Sequence, residues 1–206
     1  AHKDDESIPL EETLDAFAAL IKQGKVRAIG ASNYSASRLD EALAISDQKG
    51  WPGYESLQPE YNLYERASYE RELEPLCAKE TIGVIGYYGL ASGFLTGKYR
   101  SEGDFAKSPR GASQTVRKYA NDRGAGVLEA LDAVARKYNT SNATVALAWL
   151  LHRKSVTAPI VSATSLDQLN ESGLIRRYRE IKHGRGNLYF HPELLLAVQE
   201  TNLVFK

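Results

Sequence analysis

Three glycines spaced four apart, Gly89, Gly93 and Gly97, stand among Ser92, Thr96 and Lys98. Such a loop suits an anion. Glycine lets backbone N–H groups come close to a phosphate, and the hydroxyls and the lysine supply further donors. The stretch leading into it runs Ile-Gly-Val-Ile-Gly-Tyr-Tyr from position 82. It is a short apolar run of the kind buried on both faces of a sheet, with Val84 and Ile85 at its centre. It stops at Tyr87 and Tyr88, and a flat aromatic at a strand end offers a stacking surface beside the anion site. A ring at one end and a pyrophosphate at the other describe a dinucleotide. By composition alone the same residues make an ordinary Gly-rich surface loop.

The elements that must position this loop alternate between helix and strand, the pattern of a parallel α/β fold. A helix is predicted over 9–23, with Leu10, Leu14, Phe17 and Ile21 on one face, Ser7 as cap, Pro9 in the first turn and Gly24 as stop. A strand over 26–32 comes next, then a helix over 37–48 ended by Gly50 and capped by Asn33 or Ser35. A short strand over 55–59, a helix over 69–79 and the strand over 82–87 continue the alternation. A long loop then runs to about residue 117. Amphipathic helices are predicted over 126–137 and 142–153, a last strand over 157–161 and a helix over 165–171. No repeat and no linker interrupt the chain, so a single domain is expected over 1–206. Its four strands would expose an unpaired edge at each side, which favours contacts between copies.

Composition narrows the function classes. The 206 residues carry 26 basic and 26 acidic side chains and are 43% hydrophobic. Zero net charge argues against nucleic acid or an anionic membrane surface as the main partner. No apolar run approaches the roughly 18 residues of a membrane span, and no signal-peptide pattern is present. The lone Cys77 excludes an internal disulfide and fits a reducing cytoplasm, as a packing residue among Leu73, Leu76 and Ala78. No metal is implied. The absence of methionine, even at position 1, predicts a piece of a longer protein.

The run Tyr-Tyr-Gly-Leu-Ala-Ser-Gly-Phe-Leu-Thr-Gly-Lys-Tyr over 87–99 resembles the cofactor loop after the seventh strand of aldo-keto reductases. It is most like the branch that holds the bacterial general-stress reductases and the potassium-channel β subunits. The resemblance covers about residues 1–172. It implies a TIM (β/α)₈ barrel, of which this chain supplies only about the second half, strands five to eight with their helices; a full barrel takes about 250 residues. It also implies NAD(P)H-dependent reduction of aldehydes and ketones to alcohols. By resemblance Tyr87 stacks on the nicotinamide. Leu90, Ser92, Gly93 and Lys98 line the pyrophosphate path, and Arg110 closes it.

Family members use a tetrad of Asp, Tyr, Lys and His. The tyrosine protonates the carbonyl oxygen, Lys and Asp tune its acidity, and His orients the carbonyl. His2-Lys-Asp-Asp5, followed by Pro-Leu-Glu-Glu-Thr, matches the family's His-x-x-Asp context at the end of strand four, so His2 takes the histidine role. Without the resemblance it reads as a terminal histidine with no role. The other three tetrad members fall in the absent half and are not assigned to Tyr34, Tyr61 or Lys98. Gly30-Ala-Ser-Asn-Tyr34 ends strand five, where a parallel barrel builds its site. The resemblance gives Ser32 and Asn33 to the nicotinamide carboxamide. Leu57-Gln-Pro-Glu-Tyr-Asn62 resembles the Gln-x-x-Tyr-Asn signature after strand six. It makes Gln58 the second carboxamide partner, with Tyr61 and Asn62 as loop supports.

The stretch over 159–172 resembles the strand-eight exit and the helix N-terminus that receives the adenosine phosphate. Ser162, Thr164, Gln168 and Glu171 match cofactor-contacting positions. Ser162 replaces the common glycine, Ser165 stands where many relatives have Arg, and Ser172 where most have Asn. A 2′-phosphate calls for a guanidinium or ammonium nearby, and Lys98 and Arg110 are the candidates that remain. NADP is the expected cofactor, with NAD as the alternative. From 173 to 206 the resemblance decays into a divergent tail, basic over 174–186, with a closing helix expected from His191 to Asn202. The implied partner is a small carbonyl compound. The alternative function is a truncated, non-catalytic nucleotide-binding or regulatory protein resembling a potassium-channel β subunit.

Overall fold

A computed structural model describes residues 1–106, 111 and 113–162. Within it the chain divides into two compact units. The first comprises residues 1–61, 65–87 and 154–159; the second comprises 62–64 and the described residues of 88–153 and 160–162.

The first unit is built on a parallel sheet of three strands in sequence order: β1 (Ile29–Ser32), β2 (Tyr54–Gln58) and β3 (Gly83–Val84). Each crossover is helical: α2 (Ala36–Lys49) after β1, and after β2 a helix that begins as a π turn (Tyr69–Leu73) and continues as α3 (Glu74–Lys79). α1 (Leu10–Lys22) precedes β1. All five predicted elements from 9–23 through 69–79 are thus present, with β1 three residues shorter than expected. Ala31 and Leu57 sit side by side in the ladder and Leu57 pairs in turn with Val84; all three are buried. Leu10 and Leu14 of α1 and Leu39 and Ala42 of α2 complete this core. The register slips between Ile29 and Gly30. A Cβ at Gly30 would collide with the Ser56 side chain, so the strand keeps its close approach there only with glycine.

Local capping differs from expectation in one place. Ser35 caps α2 by accepting the Arg38 N–H, but α1 starts at Pro9 without a side-chain cap. Ser7 instead donates its N–H and hydroxyl to Asp5 Oδ1, at 3.0 and 2.6 Å. The π turn leads into a proline. Pro75 has no N–H to offer the Arg71 carbonyl, and the preceding Glu74 N–H reaches back five residues, to Tyr69 O. Cys77 is buried on α3, and burial pushes its thiol up to about 11.

The strand expected over 157–161 is not formed. A single parallel bridge joins Val84 to Val156. Thr157 and Ala158 both aim their N–H at Val84 O, at 2.8 and 3.3 Å, while the Val84 N–H turns to Thr157 Oγ1 at 3.1 Å. A hydroxyl takes the donor that a ladder carbonyl would have held, and Pro159 offers no N–H to resume pairing. At the opposite edge β1 is engaged: the Ala1 nitrogen donates to Gly30 O at 2.6 Å, and the Ser32 N–H donates to Ala1 O at 2.9 Å.

The second unit is helical. The stretch expected to be a long loop contains a 3₁₀ segment (Ala91–Thr96) and two four-residue helices, α4 (Glu102–Phe105) and α5 (Gln114–Arg117). These are too short for a period to show. α6 (Asp122–Lys137) begins four residues before its expected start, capped by Asn121, and α7 (Asn142–His152) is capped by Ser141. Both pack on the 3₁₀ segment, with Phe94, Leu95, Leu131, Leu147 and Leu150 buried.

Asp132 of α6 accepts from Arg100 Nη2 and from Asn142 Nδ2, each at 2.7 Å. The Arg100 hydrogen bond, with Asn142 adding to it, holds the Asp132 carboxyl below its usual range. A carboxyl depressed in the folded state stabilises above its unfolded pKa and loses that contribution as pH falls through its folded pKa. The pair is more than a third exposed on the Arg100 side, which limits its worth to about 1 kcal/mol or less. Asp132→Asn is therefore expected to lower the urea midpoint slightly at pH 7. The gap should close below about pH 4, near the ordinary carboxylate pKa. An equal gap at pH 7 and pH 3 would contradict the assignment.

Candidate functional site

In the first unit the sheet delivers its strand ends to one place. Ser32 closes β1 and is in register with Gln58, which closes β2. Beyond β3 the ladder continues as single contacts: the Ile85 N–H to Leu57 O and the Tyr87 N–H to Pro59 O, both at 2.9 Å. Tyr87 is bridged to Glu60. Ser32, Gln58 and Tyr87 therefore lie at the C-terminal ends of three neighbouring parallel strands, the face on which such sheets bind ligands.

Asn33 joins these ends. Its backbone is left-handed, with φ +57°, a conformation asparagine accepts more readily than most residues. Its Oδ1 accepts from the Tyr87 hydroxyl at 2.8 Å. Its Nδ2 donates to Ser32 Oγ at 3.0 Å and to the His2 carbonyl at 2.9 Å. Ser32 is buried and passes its own hydroxyl proton to Gln58 O at 2.8 Å. Five residues singled out from sequence, His2, Ser32, Asn33, Gln58 and Tyr87, are thus brought together. Three of them contribute side chains to this network. Gln58 and His2 enter it through their carbonyls, and the His2 side chain is exposed.

The loop residues belong to the second unit. Ala91, Ser92 and Gly93 have φ of +48°, +56° and +93° in succession. The N–H groups of Ala91, Gly93, Leu95 and Gly97 close turns onto Tyr88, Leu90, Leu90 and Phe94 carbonyls. Left-handed residues at Ala91, Ser92, Gly93 and Gly97 therefore set the path of the loop, and these four backbone donors are committed within it. Ser92 Oγ is the exception: it is buried, with no hydrogen-bond partner among the described residues. Lys98 is exposed. Its Cε and Nζ lie 3.4 Å from where a Gly93 Cβ would stand, so a side chain at 93 would crowd the ammonium. Asn62 anchors the loop's start, accepting the Tyr64 N–H at 2.9 Å and donating to Tyr88 O at 3.0 Å.

The sequence model of the Aldo/keto reductase family matches residues 1–175. The chain belongs to this family. A rice (Oryza sativa subsp. japonica) protein named "Probable voltage-gated potassium channel subunit beta" is 32% identical over 175 residues, 83% of this chain and 53% of its own length. An aldo-keto reductase of Fusarium vanettenii is 32% identical over 182 residues, 83% of this chain and 45% of that one. One from Alternaria alternata is 31% identical over 172 residues, again 83% and 45%. The chain spans about half the length of the curated relatives it matches.

Aldo-keto reductases as a family imply a barrel and a nicotinamide cofactor. An orphaned hydroxyl at Ser92 and an exposed ammonium at Lys98 are donors suited to a diphosphate. At the strand ends Asn33 has both Nδ2 hydrogens committed but retains one lone pair on Oδ1, which suits an amide N–H. Taken by itself, each unit offers donors and acceptors of the kind such a group takes. Leu90 shapes the loop through its carbonyl, and Ser162 is exposed. Arg110, Thr164, Gln168 and Glu171 lie outside the described residues, as do the helix expected over 165–171 and the tail. Among the described residues no cluster of three or more His, Cys, Asp or Glu is placed to hold a metal, and no helix is long and apolar enough to cross a membrane. Sequence reasoning passed over Arg38, which forms an ion pair with Asp4; no local pattern links residues 34 apart.

Proposed function

We propose that this chain is the cofactor-binding half of an NAD(P)H-dependent carbonyl reductase. In this reading it supplies strands five to eight of a (β/α)₈ barrel with their helices. Family membership and the half-length span of the relatives support it. The observation that carries it is the convergence of Ser32, Gln58 and Tyr87 at the ends of three adjacent parallel strands, tied by Asn33. A reduced nicotinamide, when bound, supplies the hydride. Tyr87 offers its ring as the stacking face, and Ser32, Asn33 and Gln58 hold the carboxamide. Ser92 and Lys98 bind the diphosphate, with Arg110, Ser162, Thr164, Gln168 and Glu171 toward the adenosine end. His2 orients the substrate carbonyl. The proton donor and its Lys and Asp partners come from the other half, so the 206-residue chain is not expected to turn over alone. NADP is the proposed cofactor, an aldehyde or ketone the substrate, and the cytoplasm the location.

An NADPH titration of the chain, with NADH alongside, followed by the emission of Trp51 and Trp149, tests the reading. Saturable binding, tighter for NADPH, is the expected result. No binding of either nucleotide would remove the claim that these residues hold a cofactor by themselves. Binding without turnover in the full-length protein would favour the regulatory alternative.

A further inference from the structure

Residues 1–4 are laced to the segment 32–38 at three successive points. The Ser32 N–H meets Ala1 O and Asn33 Nδ2 meets His2 O, each at 2.9 Å. The third point is the ion pair: Arg38 Nε donates to Asp4 Oδ2 at 2.8 Å and Nη2 to Oδ1 at 3.1 Å. Arg38 sits in the first turn of α2, and Glu41 holds its Nη1 at 2.9 Å, which orients the guanidinium plane toward Asp4. The Asp4 side chain is only 12% exposed. Just beyond it, the Asp5–Ser7–Ile8 turn orders the chain by its own hydrogen bonds. Among the described residues Asp4 is thus the one side-chain anchor between that turn and His2, whose carbonyl is held by a single N–H.

We propose that Arg38 is a positioning residue whose bidentate pair with Asp4 fixes the main chain that carries His2. The proposal rests on the reading of His2 as the group that orients the carbonyl. A planar fork against a carboxylate fixes orientation as well as distance, which a point charge does not. Desolvation offsets much of the Coulomb gain of a part-buried ion pair, so its consequence is geometric. Misplacing a catalytic group by 1 Å can cost on the order of a hundredfold in rate. Losing one of three anchors should cost about tenfold.

The test uses the full-length protein with NADPH and 4-nitrobenzaldehyde. It compares Arg38→Gln, Asp4→Asn, the exchanged pair Asp4→Arg with Arg38→Asp, and His2→Ala. Each single anchor variant is expected to lower kcat about tenfold while NADPH Kd stays within about twofold. The exchanged pair should recover part of the loss. Amide exchange over residues 2–5 should quicken in Arg38→Gln. Faster exchange with unchanged kcat would overturn the proposal, and so would a kcat loss matched by weaker NADPH binding, which marks general damage. If His2→Ala leaves kcat unchanged, the role of His2 is what fails, and the anchor then has no catalytic group to position.

Discussion

Replacing Tyr87 by alanine is expected to weaken NADPH binding about 100-fold, whereas Tyr87→Phe should weaken it only about fivefold. Two interactions are at stake. In the proposed site the ring is the stacking face, worth about 1–3 kcal/mol for a planar base on an aromatic side chain. The hydroxyl donates to Asn33 Oδ1 at 2.8 Å, a bond worth about 1 kcal/mol. Alanine removes both, about 3 kcal/mol in all, and phenylalanine removes only the second. The hydroxyl also holds Asn33 in the orientation that points its Nδ2 at Ser32 and His2. Fluorescence titration of both variants checks these losses. Equal loss in the two would mean that the hydroxyl matters and the ring does not.

The same substitution at two glycines of α6 is expected to act with opposite sign. Helix propensity favours alanine over glycine by about 1 kcal/mol at either site. At Gly126 a Cβ meets nothing within 4 Å, so Gly126→Ala should stabilise by about that amount and raise Tm by roughly 3 °C. At Gly124 the Cβ would run into the Tyr119 backbone carbonyl and stand 3.0 Å from Phe94 Cζ. A carbonyl in a tight turn cannot step aside as a side chain can, and overpacking of this kind costs about 3 kcal/mol. The net loss at Gly124→Ala is about 2 kcal/mol, a fall of roughly 6 °C. Thermal and urea melts of the two variants separate the effects. A stabilised Gly124→Ala would mean that the turn over 119–124 yields more readily than its contacts imply.

The helices legible in the sequence carry their own punctuation. Leu10 and Leu14 mark the buried face of α1, and Ser35 and Gly50 bracket α2. The start of α6 is hidden because Gly124 and Gly126 depress helix propensity; the Asn121 cap is the signal for its true start. The strand expected over 157–161 fails because an apolar run says nothing of a threonine hydroxyl competing for the ladder donor. At the site, residue types and spacing carry the resemblance to Ser32, Gln58 and Tyr87. They cannot reveal that Asn33 joins Tyr87 across 54 residues, or that Arg38 reaches Asp4. Such contacts exist only once the sheet has formed.

The π turn over Tyr69–Leu73 has a consequence for chain length. A turn that closes one residue wider than its neighbours can absorb an insertion without rotating the rest of the helix. Dropping one residue there would restore ordinary α spacing ahead of Pro75 and leave buried Cys77 facing as it does. The same deletion inside α2 would swing every later side chain by roughly 100°, taking the buried Ala42 and Ser46 off the face they share. The start of this helix is an expansion joint: a place where descendants of one ancestor can differ by a residue and still build the same sheet.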